Sequence, residues 1–205
     1  MSDKDAVVVV DDDDGVRDSL QSLLETAGFS VRVYRSAGEF IADCPSTEQG
    51  GLLLDIQMPG MDGLALQERV ATGWPQLSVV IMTGHGDVSI AIRAMKAGAI
   101  DFIEKPFDPE ILLDVIRNAV EHSRRLAKET EETNALTAKL RRLSKREREI
   151  LEGLVAGLPN KTIAYDLDIS PRTVEIYRAR LMVKMQAHSL SELLRMATTA
   201  GVRPK

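Results

Sequence analysis

The sequence predicts an α/β chain with three parts: a five-stranded, doubly wound parallel sheet over residues 1–120, a helical linker over 121–142, and a small all-α helix-turn-helix unit over 143–205. Three observations carry that division. Short apolar runs alternate five times with stretches of helical periodicity before residue 120, the pattern of a parallel sheet with helices on both faces and right-handed crossovers. Residues 121–142 contain no Gly or Pro and are rich in Ala, Glu, Lys and Arg. Charge changes sign along the chain, from a net −12 over residues 1–123 to +3 over 124–142 and +4 over 143–205, so the two ends face different partners.

Residues 6–10, AVVVV, suit a strand buried on both faces. Val16, Leu20, Leu23, Leu24 and Ala27 follow at helical spacing, and Gly28 closes that helix. Residues 29–34 alternate as a half-exposed strand does. Ser36 caps a short helix holding Phe40 and Ile41, which Pro45 stops. The third strand is residues 52–54, followed by a helix over 64–70 and the break at Trp74-Pro75. Residues 78–82 form the fourth strand, after which Asp87 caps a helix with Val88, Ala91, Ile92 and Met95 on its inner face, closed by Gly98. The fifth strand is 100–103. Asp108-Pro109, an N-cap with proline in the first helical position, opens a helix along Ile111, Leu112, Val115, Ile116 and Ala119. The linker is expected to continue this helix, and its seam of Leu126, Leu136, Leu140 and Leu143 is too sparse for a coiled coil.

In a doubly wound sheet the residues just past each strand gather at one edge, whatever their separation in sequence. Here they are Asp11 and Asp12, Asp55, Thr83, and Lys105 ahead of Pro106. A run of four aspartates is also what a solvated loop looks like, and Asp13 and Asp14 read as the acidic first turn of a helix. Three carboxylates in one pocket, however, repel each other unless a cation is present. An all-oxygen set suits Mg²⁺ or Mn²⁺, and a carboxylate beside such a metal can accept a phosphoryl group. A hydroxyl from Thr83 and an ammonium from Lys105 are what phosphoryl transfer requires around the equatorial oxygens.

In the basic unit, Ser144 and Glu147 form a capping box, and Ile150, Leu151, Leu154 and Val155 face inward up to Gly157. A second helix begins at Asn160 with Ile163, Ala164 and Leu167 inward. Asp168-Ile169 turns, and Ser170-Pro171 starts a third helix to about Met185 with Val174, Tyr177, Leu181 and Met185 inward. Its opposite face, with Arg172, Glu175, Ile176, Ala179, Arg180 and Val183, offers donors, an acceptor and small apolar groups for base edges. Phosphate contacts are expected from Lys161, Thr162, Arg172, Thr173 and Arg178.

The motifs VVDDDD, LLLDIQMPGMDG, IMTGHGD and MKAGAIDFIEKPF resemble the receiver domain of two-component response regulators. The stretch LSKREREILEGLVAGLPNKTIAYDLDISPRTVEIYRARLMVKM is similar to the four-helix DNA-binding domain of LuxR-type regulators, with a last helix over residues 189–200. Together they resemble the FixJ/NarL class over nearly the whole chain. The resemblance implies a flavodoxin-like receiver, with Asp55 as phospho-acceptor, Asp11, Asp12, Asp55 and the backbone carbonyl of Gln57 as Mg²⁺ ligands, and Thr83 and Lys105 as phosphoryl contacts. It also implies Thr83 and Phe102 as switch residues and a cis Lys105-Pro106 bond. Tyr177 stands where many of these regulators have histidine.

The partners so implied are a sensor histidine kinase, double-stranded DNA carrying a near-palindromic operator, a second copy of the chain upon phosphorylation, and RNA polymerase. The target is expected to be activated nitrogen-fixation-type genes. A metal-dependent phosphohydrolase working through an aspartyl phosphate is the enzymatic alternative, against which Gln57 stands where such enzymes carry a second aspartate. A receiver with a protein-binding output is the third reading. A single cysteine, Cys44, excludes an internal disulfide. Apolar runs of about five residues fall far short of the ~20 that a membrane helix needs, and no signal peptide is seen, so a cytoplasmic protein without membrane attachment is expected.

Overall fold

The computed structural model describes residues 5–84 and 88–203. The chain clusters into two units, Met1–Ala127 and Lys128–Lys205.

In the first unit the order is β1 (Ala6–Val10), α1 (Asp14–Thr26), β2 (Ser30–Tyr34), α2 (Ala37–Asp43), β3 (Gly50–Asp55), α3 (Gly63–Gly73), β4 (Leu77–Thr83), α4 (Val88–Lys96), β5 (Asp101–Glu104) and the start of α5 (Pro109–Arg141), whose last residues belong to the second unit. All strand pairs are parallel, in the order β2-β1-β3-β4-β5. The strand order reverses between β1 and β3, which is the switch point beside which such sheets bind ligands. Val8 and Val10 of β1 pack with Phe40, Leu66, Val70 and Ala94 on one face. Val7 and Val9 pack with Leu20, Leu24, Leu112 and Ile116 on the other, which is why this strand reads as an unbroken apolar run. Asp13 caps α1 by accepting from Gly15 N at 2.8 Å and Val16 N at 3.1 Å, and Ser36 caps α2. Gly28, with φ of 95°, ends α1 in a left-handed conformation that a side chain would strain.

Two expectations about helix faces are corrected. Ile92 and Met95 are not on the inner face of α4: they are 50% and 44% exposed, while Ala91 and Ala94 are buried. Small residues let α4 lie close to its neighbours, so the stripe of alanines wins the core and the bulkier residues are turned outward. Ile111 is likewise 60% exposed, the buried stripe of α5 being Leu112, Ile116, Ala119 and Val120. The expected Asp87 cap lies outside the described residues, as does the side chain of Val88.

At the opening edge of the sheet, α5 is pinned by three consecutive residues. His122 Nδ1 lies 2.9 Å from Ser78 Oγ, and Ser123 Oγ accepts from Gly50 N at 2.7 Å while donating to the Gln76 carbonyl at 2.5 Å. Arg124 pairs with Asp5 at 2.5 Å. α5 runs without a break to Arg141, as the composition of the linker predicts.

The second unit holds α6 (Lys145–Val155), α7 (Asn160–Asp166), α8 (Pro171–Met185) and α9 (Leu190–Thr199). Its core joins Leu140 and Leu143 to Ile150, Leu151, Ile163, Val174, Leu181, Met185 and Leu193. The capping box of Ser144 and Glu147 is formed, and Ser170 caps α8 with Pro171 behind it. Asp168, at φ 52°, makes the turn between α7 and α8. Among the described residues no helix is long and apolar enough to cross a membrane.

Candidate functional site

Four strands bring their chemistry to one edge. β1 is followed directly by Asp11 and Asp12, β3 ends on Asp55, β4 ends on Thr83, and β5 is followed by Lys105. The Lys105 N–H donates to the Thr83 carbonyl at 2.7 Å, and the bond from Lys105 to Pro106 is cis, as expected. Lys105 Nζ donates to Asp11 Oδ2 at 2.6 Å and to Asp55 Oδ1 at 2.8 Å. Carboxylate oxygens of Asp11, Asp12 and Asp55 come within 4.8 Å of one another. Asp11 and Asp55 are buried, Thr83 is buried, and Asp12 opens to solvent.

Burial pushes the Asp55 carboxyl up from its ordinary value, against the lowering effect of the Lys105 hydrogen bond, and the neighbouring Asp11 and Asp12 charges add to the rise. Burial also works against the Lys105 ammonium, but its hydrogen bonds to Asp11 and Asp55 outweigh this and hold it above its usual value. Among the described residues, one ammonium beside three carboxylates leaves the pocket net negative. Its donors are all oxygen and one of the three acids is open to solvent, which fits a hard divalent cation that keeps some of its water.

Of the remaining expected residues, Gln57 is exposed two residues beyond β3. Phe102 is 45% exposed on β5, whereas its neighbour Ile103 is buried, so the alternation turns the phenyl ring outward.

In the second unit, Lys161, Arg172, Glu175, Ile176, Ala179 and Arg180 are exposed, while Thr162, Thr173 and Arg178 are half-buried. The Thr173 hydroxyl lies 2.8 Å from that of Ser170 at the start of α8. The Arg180 guanidinium sits 5.6 Å over the Tyr177 ring, a cation–π contact that orients it on the outer face. Arg178 Nη1 donates to Asn160 Oδ1 at 2.8 Å.

Residues 7–117 match the response regulator receiver domain, and residues 141–197 match the bacterial regulatory proteins of the luxR family. The chain belongs to the response regulators. It is similar to the transcriptional regulatory protein FixJ of Bradyrhizobium diazoefficiens, at 46% identity over 98% of each chain. A crystal structure of full-length FixJ from B. japonicum matches with a TM-score of 0.59 at 46% identity, covering 98% of each chain. The response regulator StyR matches with a TM-score of 0.78 at 39% identity, covering 95% of this chain and 98% of that one.

This response regulator therefore couples a receiver, the kind of unit a histidine kinase addresses, to a DNA-binding output unit. The phosphohydrolase alternative is not favoured. Several supporting residues escape a reading by strand ends. Arg17 donates to the Asp11 carbonyl at 2.6 Å and pairs with Asp14, and its position six residues after Asp11 gave no strand-end signal. Gly63 packs so tightly that a Cβ there would fall 2.2 Å from the Asp55 carbonyl oxygen, and its N–H donates to the Ile56 carbonyl at 3.0 Å. Buried Glu147 accepts from Lys184 Nζ at 2.7 Å, tying the start of α6 to α8, and that hydrogen bond, ahead of the opposing effect of burial, holds its carboxyl below the ordinary range. Cys44 is buried, with its thiol pushed up to about 11 by desolvation, and is inert packing.

Proposed function

We propose that this response regulator is switched by phosphorylation of Asp55 and controls transcription through its output unit. The observation that carries the reading is the bridge from Lys105 Nζ to both Asp11 and Asp55 at the edge where Thr83 also ends its strand. An Asp55 carboxylate oxygen forms a P–O bond as the phosphoryl group leaves the imidazole nitrogen of a phosphorylated kinase histidine. Lys105 and the Thr83 hydroxyl meet the charge on the equatorial oxygens. Mg²⁺ or Mn²⁺, held by Asp11, Asp12, Asp55 and the Gln57 carbonyl, supplies charge neutralisation when bound. The receiver catalyses only its own phosphorylation and dephosphorylation, and no turnover enzyme is inferred.

Thr83 follows the new phosphoryl group, and the outward Phe102 ring turns with it. Ile92 and Met95 on α4, Phe102 on β5 and Ile111 on α5 are all exposed, and α4 packs against β5. Apolar side chains left outside on consecutive elements support this face as the one that pairs two phosphorylated chains. Pairing sets two α8 helices on the half-sites of a near-palindromic operator. Arg172, Glu175, Ile176, Ala179 and Arg180 then read bases, with Lys161, Thr162 and Thr173 on phosphates. Recruitment of RNA polymerase in the cytoplasm completes an activator of nitrogen-fixation-type genes.

Treatment with acetyl phosphate and Mg²⁺ tests the reading. The wild type is expected to gain one phosphoryl mass and to double in size by light scattering, while Asp55→Asn does neither. Equal labelling of Asp55→Asn would remove Asp55 from its role.

A further inference from the structure

Arg178 is, by charge and by its place in the output unit, an obvious phosphate contact, and the structure gives it a different employment. It lies four residues after Val174 and three before Leu181, both fully buried, so it shares the inward stripe of α8 and not the outward one. Its guanidinium is half-buried and donates to Asn160 Oδ1 at 2.8 Å, across from α8 to the first residue of α7. A charge-assisted bond to a neutral amide leaves Asn160 oriented and the Arg178 fork directed back into the unit. The far end of α8 is tied separately, by Lys184 to Glu147 at 2.7 Å and by Lys139 Nζ to the Met185 carbonyl at 3.2 Å. The Arg178–Asn160 bond is thus a polar tie that holds the middle of α8 against the start of α7, next to the proposed base readers Glu175 and Ala179.

We propose that Arg178 is a positioning residue for base reading: through Asn160 it sets the angle at which α8 enters the groove, and it does not neutralise a phosphate. The inference rests on the reading of α8 as the recognition helix. It separates cleanly from a phosphate role, because a phosphate contact adds about 0.9 to the slope of log affinity against log salt while a tie within the protein adds nothing.

The test uses the full chain treated with acetyl phosphate and Mg²⁺, a duplex enriched by the wild type from a random library, and a scrambled duplex of the same composition. Affinities of wild type, Arg178→Met, Asn160→Ala and the double variant are measured across a salt series. Met keeps the aliphatic stem of Arg178 in the core. Each single variant is expected to lower the ratio of enriched to scrambled affinity about tenfold, with the double variant no worse and every salt slope as in the wild type. Partial unfolding would weaken both duplexes alike and leave the ratio unchanged, so the ratio reports positioning alone. If Arg178→Met melts early, Asn160→Ala decides by itself. A slope lowered by about 0.9 per bound chain in Arg178→Met, or a wild-type ratio in Asn160→Ala, overturns the proposal. Wild-type binding that shows no salt dependence would overturn the recognition-helix reading, and the positioning role with it.

Discussion

The two units treat buried charge in opposite ways. The first gathers buried Asp11 and Asp55 and exposed Asp12 within 4.8 Å of one another and, among the described residues, offsets them with one lysine, leaving an electrostatic deficit. The second buries Glu147 but matches it with Lys184 and with its own capping box, leaving none. An unbalanced cluster is costly to keep and changes state when a cation or a phosphoryl group arrives. A balanced pair holds a helix still. The difference supports the proposed division of labour, in which the first unit switches and the second presents a fixed surface.

Lys105→Met should sharpen the contrast most. Among the described residues it removes the charge that offsets the carboxylates, and with it the proposed phosphoryl contact, so labelling by acetyl phosphate should slow about a hundredfold, followed by mass spectrometry with time. A rate near wild type would mean that Lys105 only balances the pocket. Gly63→Ala perturbs the same pocket through the backbone, since its Cβ would meet the Asp55 carbonyl oxygen at 2.2 Å. The loop between β3 and α3 must give way, at a cost of about 3 kcal/mol in urea denaturation.

Glu147→Gln probes the balanced unit. The folded carboxyl lies below its ordinary 4.5, so the stability from its Lys184 and Ser144 bonds is fully present above that value and is lost as pH falls through the lower folded one. Amide exchange in α6 and α8 should therefore accelerate as wild type is acidified below about pH 4.5, and the Gln variant should show less of that dependence. At neutral pH the variant should cost about 1–2 kcal/mol. Smallest of all, Arg35→Ala removes an exposed pair with Glu39 and should change stability by under about 0.5 kcal/mol.

The pocket was legible in the sequence because a parallel sheet turns a one-dimensional rule, the residue that ends or directly follows each strand, into a three-dimensional site. Asp11, Asp55, Thr83 and Lys105 all obey it. Arg17 and Gly63 do not, because one reaches back from a helix and the other acts by having no side chain. The inner faces of α1 and α8 were legible because their buried stripes are large and periodic. Those of α4 and the start of α5 were not: periodicity marks an apolar stripe without saying whether it meets the core or a second molecule, and Ile92, Met95 and Ile111 are exposed. Arg178 shows the same limit for charge, since only the packed pair of helices reveals that it turns toward Asn160.

The coupling between the two units is tested most directly by duplex affinity, measured with the full chain before and after acetyl phosphate and Mg²⁺, in wild type and in Asp55→Asn. Phosphorylation is expected to tighten wild-type binding to an enriched near-palindromic duplex by about a hundredfold, through pairing of two readers, and to leave Asp55→Asn unchanged. Equal tightening in both, or none in a wild type that is demonstrably phosphorylated, would contradict the claim that the state of Asp55 is read at the DNA.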